Sequence, residues 1–232
     1  MEHSRFMRGR MAAFATLLTA ASLTGCMDFM EATSPRSASG SGSADAAAPD
    51  GSGSDAPRPP APKLVINEVD YDQAGADDAE FVEIVNPNPA AVDLADYRVE
   101  LINGSNGRRY GSYAASGRLA AGGYLVIGDP AVIAAVPAGT VTAPLKSGGL
   151  QNGPDAVRIV EAATGRVLDG LHYEEAIPDA GEGAPAPEDA TDSPTSIGRC
   201  PDGFDSDDNG ADFAAATPTP GAANDCAGLV SG

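Results

Sequence analysis

Apolar and polar residues alternate in short runs from Lys63 onward. The runs are KLVINEVDYD (63–72), EFVEIVN (80–86), YRVELIN (97–103), GYLVIGD (123–129), AVRIVEA (156–162) and RVLDGLHYE (166–174). Such a period of two, or a short continuous apolar run, is the mark of a strand with one or both faces buried. QAGADDA (73–79) separates the first two as a loop. Asn103-Gly104, Asn106-Gly107 and Thr164-Gly165 supply turn chemistry further along. Seven or so short strands punctuated in this way predict an all-β sandwich.

Before Lys63 the pattern is absent. MEHSRFMRGR gives a basic start, and MAAFATLLTAASLTG (11–25) is apolar and built of small residues, which is the layout of a secretory signal over 1–25. Its apolar run of about 15 residues is shorter than the roughly 20 needed to span a bilayer. Leu23, Thr24, Gly25 and Cys26 resemble the bacterial lipobox, in which the cysteine is acylated and becomes the new N-terminus. A plain secretory signal with a chance cysteine is the alternative. Residues 26–62 are rich in Ser, Gly, Ala, Pro and Asp, with too few large apolar side chains to offset ordering entropy. They are expected to form a disordered tether, leaving a folded domain at 63–226 and a short tail at 227–232.

Composition supports this division and excludes one class of partner. The 232 residues carry no Trp, 28 Gly and 19 Pro, with a formal charge of −19. Arg5, Arg8, Arg10 and Glu2 fall within the first 25 residues, so the remainder holds 11 basic against 32 acidic side chains, a charge of −21. Nucleic-acid affinity depends on Lys and Arg displacing counterions from phosphates. Nucleic acid is therefore not an expected partner.

Six segments carry a family resemblance: INEV (66–69), EFVEIVN (80–86), VDLADYRV (92–99), LAAGGYLVIGD (119–129), NGPDAVRIV (152–160) and PTPGAAN (218–224). In this order they resemble the lamin tail domain, as found in lamins and in exported bacterial proteins. The resemblance implies an immunoglobulin-like β-sandwich that acts as a non-catalytic interaction module. With the N-terminus, it gives the expectation of a bacterial lipoprotein anchored through lipid on Cys26. The expected location is the cell envelope, at the outer membrane or cell surface, where the domain meets an envelope protein or polymer. A metal-dependent hydrolase using acidic loops is the competing class.

Few residues suggest chemistry. Beyond the signal the only histidine is His172, which lacks any GxSxG elbow to serve as a general base and suits a solvated or hydrogen-bonded strand position. Glu68, Glu80 and Glu83 lie on the first two predicted strands and are the available pairs for glycoside hydrolysis, although aromatic platforms for sugars are sparse. With Cys26 assigned to lipid, Cys200 and Cys226 remain as an even pair in an exported chain, and they are expected to form a disulfide. Two free thiols or a redox pair would be the rival, but CxxC spacing is missing.

RCPDGFDSDDNGADF (199–213) poses the remaining question. Asp205, Asp207, Asn209 and Gly210 match positions 1, 3, 5 and 6 of an EF-type calcium loop, yet position 12 is Ala216 where a bidentate Glu is required. Weak calcium binding through Asp205, Asp207 and Asn209 is one reading. A solvated turn is the other, since Asp and Asn hydrogen-bond the backbone two residues on and tolerate left-handed geometry. No further cofactor is expected.

Overall fold

A computed structural model describes residues 60–146, 149–189 and 194–228. The expected signal, Cys26 and the tether up to residue 59 lie outside the described residues. The strands are β1 (Val65–Asp70), β2 (Phe81–Val85), β3 (Val92–Asp93), β4 (Tyr97–Asn103), β5 (Arg108–Tyr113) and β6 (Arg118–Leu119). They continue with β7 (Tyr124–Gly128), β8 (Val141–Pro144), β9 (Asp155–Glu161), β10 (Val167–His172), β11 (Ser196–Arg199) and β12 (Phe213–Ala216). Two short helices, α1 (Pro130–Ala135) and α2 (Asn209–Asp212), interrupt them. Among the described residues no helix is long and apolar enough to cross a membrane.

A six-stranded sheet runs β12-β11-β1-β2-β7-β8 and a four-stranded sheet runs β10-β9-β4-β5, while β3 and β6 pair separately. Among the described strands only β7 and β8 pair in parallel. The core comes from the inward positions of both sheets: Ile66, Val69, Val82, Ile84, Leu125 and Ile127 on one, and Val99, Leu101, Val157, Ile159 and Leu171 on the other. This is the β-sandwich that the alternation predicts. Each such side chain, fully buried, contributes roughly 1.5–3 kcal/mol.

All six predicted segments form strands. The pattern did not single out β5, β8 or β11, because RRYGSY, VTAP and SIGR offer few large apolar residues in alternation, and the last two are only four residues long. The register shifts between Ile66 and Glu68, a bulge that lets Asn67 and Glu68 both escape the core side. Tyr71 and Tyr173 stack across the sandwich, with ring centroids 4.2 Å apart.

The end of the expected tether is held against the domain. Ala61 N–H donates to Glu161 Oε1 at 2.7 Å, and Tyr97 Oη donates to the Pro62 carbonyl at 2.9 Å.

Candidate functional site

Two carboxylate networks lie along the β11-β1-β2 part of the six-stranded sheet, and both recruit the C-terminal segment. The first starts from Glu68 and Glu83, which face each other directly across the β1–β2 ladder. Both are 0% exposed. Two like charges at such a pair are destabilising unless other groups satisfy them. Residues 196–224 do so. Glu68 accepts from the Ser196 hydroxyl and from the N–H and hydroxyl of Thr219, at 3.0–3.1 Å for the Thr219 contacts. Glu83 accepts from Asn67 Nδ2 at 2.8 Å and from the Gly221 N–H at 2.5 Å. Gly221 stands at φ 84°, in the left-handed region where a glycine is the default residue.

Asp202 completes this clasp, accepting from Asn67 Nδ2 and Asn224 N–H through Oδ1 and from Tyr124 Oη through Oδ2, each at 2.9 Å. Asn224 Nδ2 then donates to the carbonyls of Asn67 and Arg199. Cys200 and Cys226 form a disulfide with Cα atoms 5.7 Å apart, fastening the segment at both ends. Burial raises Glu68, and it pushes Glu83 up to about 8 with help from the charges of Glu68 and Asp202. All four oxygens of the Glu68–Glu83 pair are engaged by the protein's own donors, so these residues act as ties for the C-terminal segment. Glu80 lies apart, bonded to the Leu150 N–H and pushed up to about 7 by burial.

Arg199 centres the second network and is 0% exposed. Its Nε donates to the Ile66 carbonyl at 2.9 Å, and its Nη1 donates to Asp212 Oδ2 at 2.6 Å, Asp205 Oδ1 at 3.2 Å and the Phe204 carbonyl at 3.0 Å. Its Nη2 stands 3.7 Å from Asp169 Oδ2, and the guanidinium lies over the Phe213 ring at 4.5 Å. Lys63 joins from the start of the domain: its Nζ contacts Asp205 Oδ2 and lies 3.2 Å from Asp207 Oδ1 and 3.9 Å from Glu182 Oε1. Burial opposes the Lys63 charge, but Asp205, Asp169, Glu182 and Asp207 outweigh it and raise the ammonium above its ordinary value.

The structure separates the three residues of the calcium-loop reading. Asp205 is turned toward Lys63 and Arg199. Asp207 extends into solvent, with its side chain 78% exposed and φ at 59°. Asn209 is buried, its Oδ1 accepting from the N–H groups of His172 and Glu182 and its Nδ2 donating to the Gly170 carbonyl. An oxygen already accepting two backbone N–H groups is not a free ligand, so the EF-type arrangement is not formed. Instead, Asp205 Oδ1 accepts the Asp207 N–H at 3.1 Å, the two-residue Asp turn that the other reading describes. What sequence spacing missed is that Asp169 on β10 and Glu182 in the following loop come beside Asp205, with one oxygen of each within 4.8 Å of the others. These residues are 13 to 36 positions apart in sequence, and no local motif announces them.

His172 is buried on β10, and its Nδ1 accepts the Ile177 N–H at 3.1 Å. It is thus the hydrogen-bonded strand residue expected. An apolar groove of 540 Å³ opens beside the clasp, between Phe81, Val132, Pro218 and Pro220, with Asp70 at its rim.

A family model, that of the Lamin Tail Domain, matches residues 57–175. The chain belongs to the lamin tail domain family, a family of non-catalytic immunoglobulin-like modules. A comparison with curated proteins found no match. The matched span ends within the turn after β10, whereas the resemblance read from the sequence runs on to PTPGAAN. The Arg199 network therefore joins residues inside the span, Lys63 and Asp169, to Arg199, Asp205 and Asp212 beyond it.

Proposed function

We propose that this protein is a lipid-anchored lipoprotein of the bacterial envelope that displays a lamin-tail sandwich as a non-catalytic binding or structural module. Membership of the lamin tail domain family is the observation that carries the module reading. LTGC at 23–26 after an apolar run supports the anchor. Stable attachment needs two lipid signals, since each buried methylene contributes about 0.8 kcal/mol and a single chain binds marginally. The engagement of Glu68, Glu83 and Asp202 in ties to the C-terminal segment favours a module over the competing metal-dependent hydrolase.

Cell fractionation tests the anchor. The parent chain should sediment with membranes, and Cys26→Ala should leave them. Unchanged fractionation, with no fatty acid on the N-terminal peptide, would refute it. Assaying the purified full chain against phosphoester and glycoside substrates, with millimolar Mg²⁺, Mn²⁺ or Zn²⁺, tests the module. Turnover that disappears in Asp205→Asn would replace the binding role with the hydrolase.

A further inference from the structure

Asp169, Glu182, Asp205, Asp207 and Asp212 surround two cations, Lys63 and Arg199. Five carboxyl groups face two positive charges, so the cluster is anionic even before Glu182, pushed up to about 8, gives up its proton. Arg199 shares Asp205 and Asp169 with the cluster but is fixed in place by the carbonyls of Ile66 and Phe204 and by Asp212. Lys63 is different. Its ammonium is held by carboxylates alone, and its side chain is 38% exposed. It sits where a free cation would sit.

A second observation points to a ligand. Asp169 is fully buried, and its Oδ2 accepts the Ile66 N–H at 2.6 Å, while its Oδ1 has no hydrogen-bond partner. Glu182 Oε2 is likewise buried and unpartnered. Arg199 Nη2, a buried donor 3.7 Å from Asp169 Oδ2, is also without a hydrogen-bond partner, but two unpartnered acceptors outnumber it. Buried acceptors are satisfied in most folds, so the pair on Asp169 and Glu182 calls for an occupant. Hydrogen-bond donors could serve, but the charge imbalance favours a cation. We propose that Asp169, Glu182, Asp205 and Asp207 form a calcium site, for which the Lys63 ammonium is the resident competitor.

Coordination chemistry selects the ion. Calcium takes six to eight oxygens at about 2.3–2.6 Å in flexible geometry, whereas magnesium demands near-ideal octahedral geometry at about 2.0–2.1 Å and keeps several of its waters. One oxygen each of Asp169, Glu182 and Asp205 falls within 4.8 Å of the others, close enough to share one ion, in a cluster of carboxylates that suits calcium. Asp207, at the open side, adds a fourth carboxylate, and water completes the shell. Entry of the ion expels Lys63 from the cluster. Because Lys63 directly follows the expected tether, the exchange loosens the point where that segment meets the domain.

Calorimetric titration of the full chain with CaCl2 tests the site. Saturable binding is expected with Kd on the order of 10⁻⁴ to 10⁻³ M, the range of extracellular calcium modules. Lys63→Met should bind about tenfold tighter, because a like charge at short range has been removed. Asp169→Asn with Glu182→Gln should weaken binding at least about tenfold through loss of two charged ligands. Asp207→Asn, at an exposed position that leaves the fold intact, should also weaken it. The chain has two lysines, Lys63 and Lys146, so amine acetylation read by mass spectrometry gives an independent signal. Calcium should speed acetylation of Lys63 and leave Lys146 unchanged. The site is overturned by absence of saturable heat in both parent and Lys63→Met. It is equally overturned by binding that survives every carboxylate variant, by magnesium binding as well as calcium, or by Lys63 acetylation indifferent to calcium.

Discussion

Glu83 and Ile84 are neighbours on β2, each at most 1% exposed, and they point to opposite faces of one sheet. Ile84 enters a core whose contacts are aliphatic and non-directional. Glu83 enters a layer in which each oxygen has a named donor on Asn67 or Gly221. Burial alone therefore does not identify how a residue is held. The inner face tolerates a change of shape if volume is kept, while the outer layer fails when one partner of a charged or hydrogen-bonded set is removed. That difference can be measured.

The largest expected effect is at Arg199. Arg199→Ala leaves Asp169 and Asp212 buried with a missing counter-charge, and breaking such a network costs about 3–5 kcal/mol. Urea unfolding should place it level with Ile84→Ala, whose cavity costs about 2–5 kcal/mol. The two diverge under conservative replacement: Ile84→Val should lose about 0.5–1.5 kcal/mol, whereas Arg199→Lys, unable to reproduce the planar fork to Ile66, Phe204 and Asp212, should stay close to Arg199→Ala. Arg199 itself stands on the side of Ile197, against Asp169 of the other sheet and Phe213, and a mild Arg199→Lys would show its network to be as forgiving as the aliphatic core.

The next effect is that of the disulfide. By chain entropy, closing the loop between residues 26 apart contributes about 3.5 kcal/mol. Reduction should lower the melting temperature, and Cys200→Ser with Cys226→Ser should reproduce the shift. Since the bridge and Glu83 hold the same segment, their losses should combine non-additively in a double-variant cycle with Glu83→Gln. Simple additivity would mean that the segment stays docked without its staple.

The inner face was legible in the sequence because its signal is local. VINEVD and FVEIV place aliphatic residues at strand spacing, and turn residues separate them. The two polar networks were only half legible. The cysteine pair and the Asp-rich turn stand out by composition. Pairing of Glu68 with Glu83 depends on the β1–β2 register, and the meeting of Lys63, Asp169, Glu182 and Asp205 depends on the tertiary fold. Spacing within 205–210 suggested a ligand set including Asn209, but tertiary folding spends that side chain on the backbone of Gly170, His172 and Glu182.

A smaller effect concerns pH. Burial first, then neighbouring acids, push Asp70 and Glu80 up to about 7 and Glu83 and Glu182 up to about 8. A carboxyl raised on folding binds its proton more tightly in the native state, so its contribution is complete below the unfolded value of about 4.5 and is lost as pH rises through 7 to 8. Asp205 runs the other way. Burial raises it, but Lys63, the Asp207 N–H and Arg199 together hold it below its usual value, so its stabilisation disappears only at strongly acid pH. The denaturation midpoint should therefore fall between pH 5 and pH 9, and Glu83→Gln should flatten the decline. A midpoint that rises over this interval would reverse the assignment.

The smallest expected effect lies on the other sheet, at Glu100. Its carboxylate is contacted by Arg109 Nη1 from β5 and, at 3.1 and 2.9 Å, by Arg158 Nε and Nη2 from β9. These charges hold Glu100 below its usual value against the burial that would raise it. The Arg109 side chain is 52% exposed, so water and salt screen its pairing, and Arg109→Ala should lose only about 0.2–1 kcal/mol. At 1 M salt, where the Debye length is about 3 Å, much of that loss should vanish. Arg158 then remains as the fork partner of a Glu100 that is itself 4% exposed. Removing Arg158 as well leaves a buried carboxylate alone, and the double variant should lose well over the sum of the two single losses. That jump would bring the outer face of the four-stranded sheet under the same rule as Arg199: charge is expendable while one partner remains and costly once none does. An additive double variant would confine the rule to the Arg199 network.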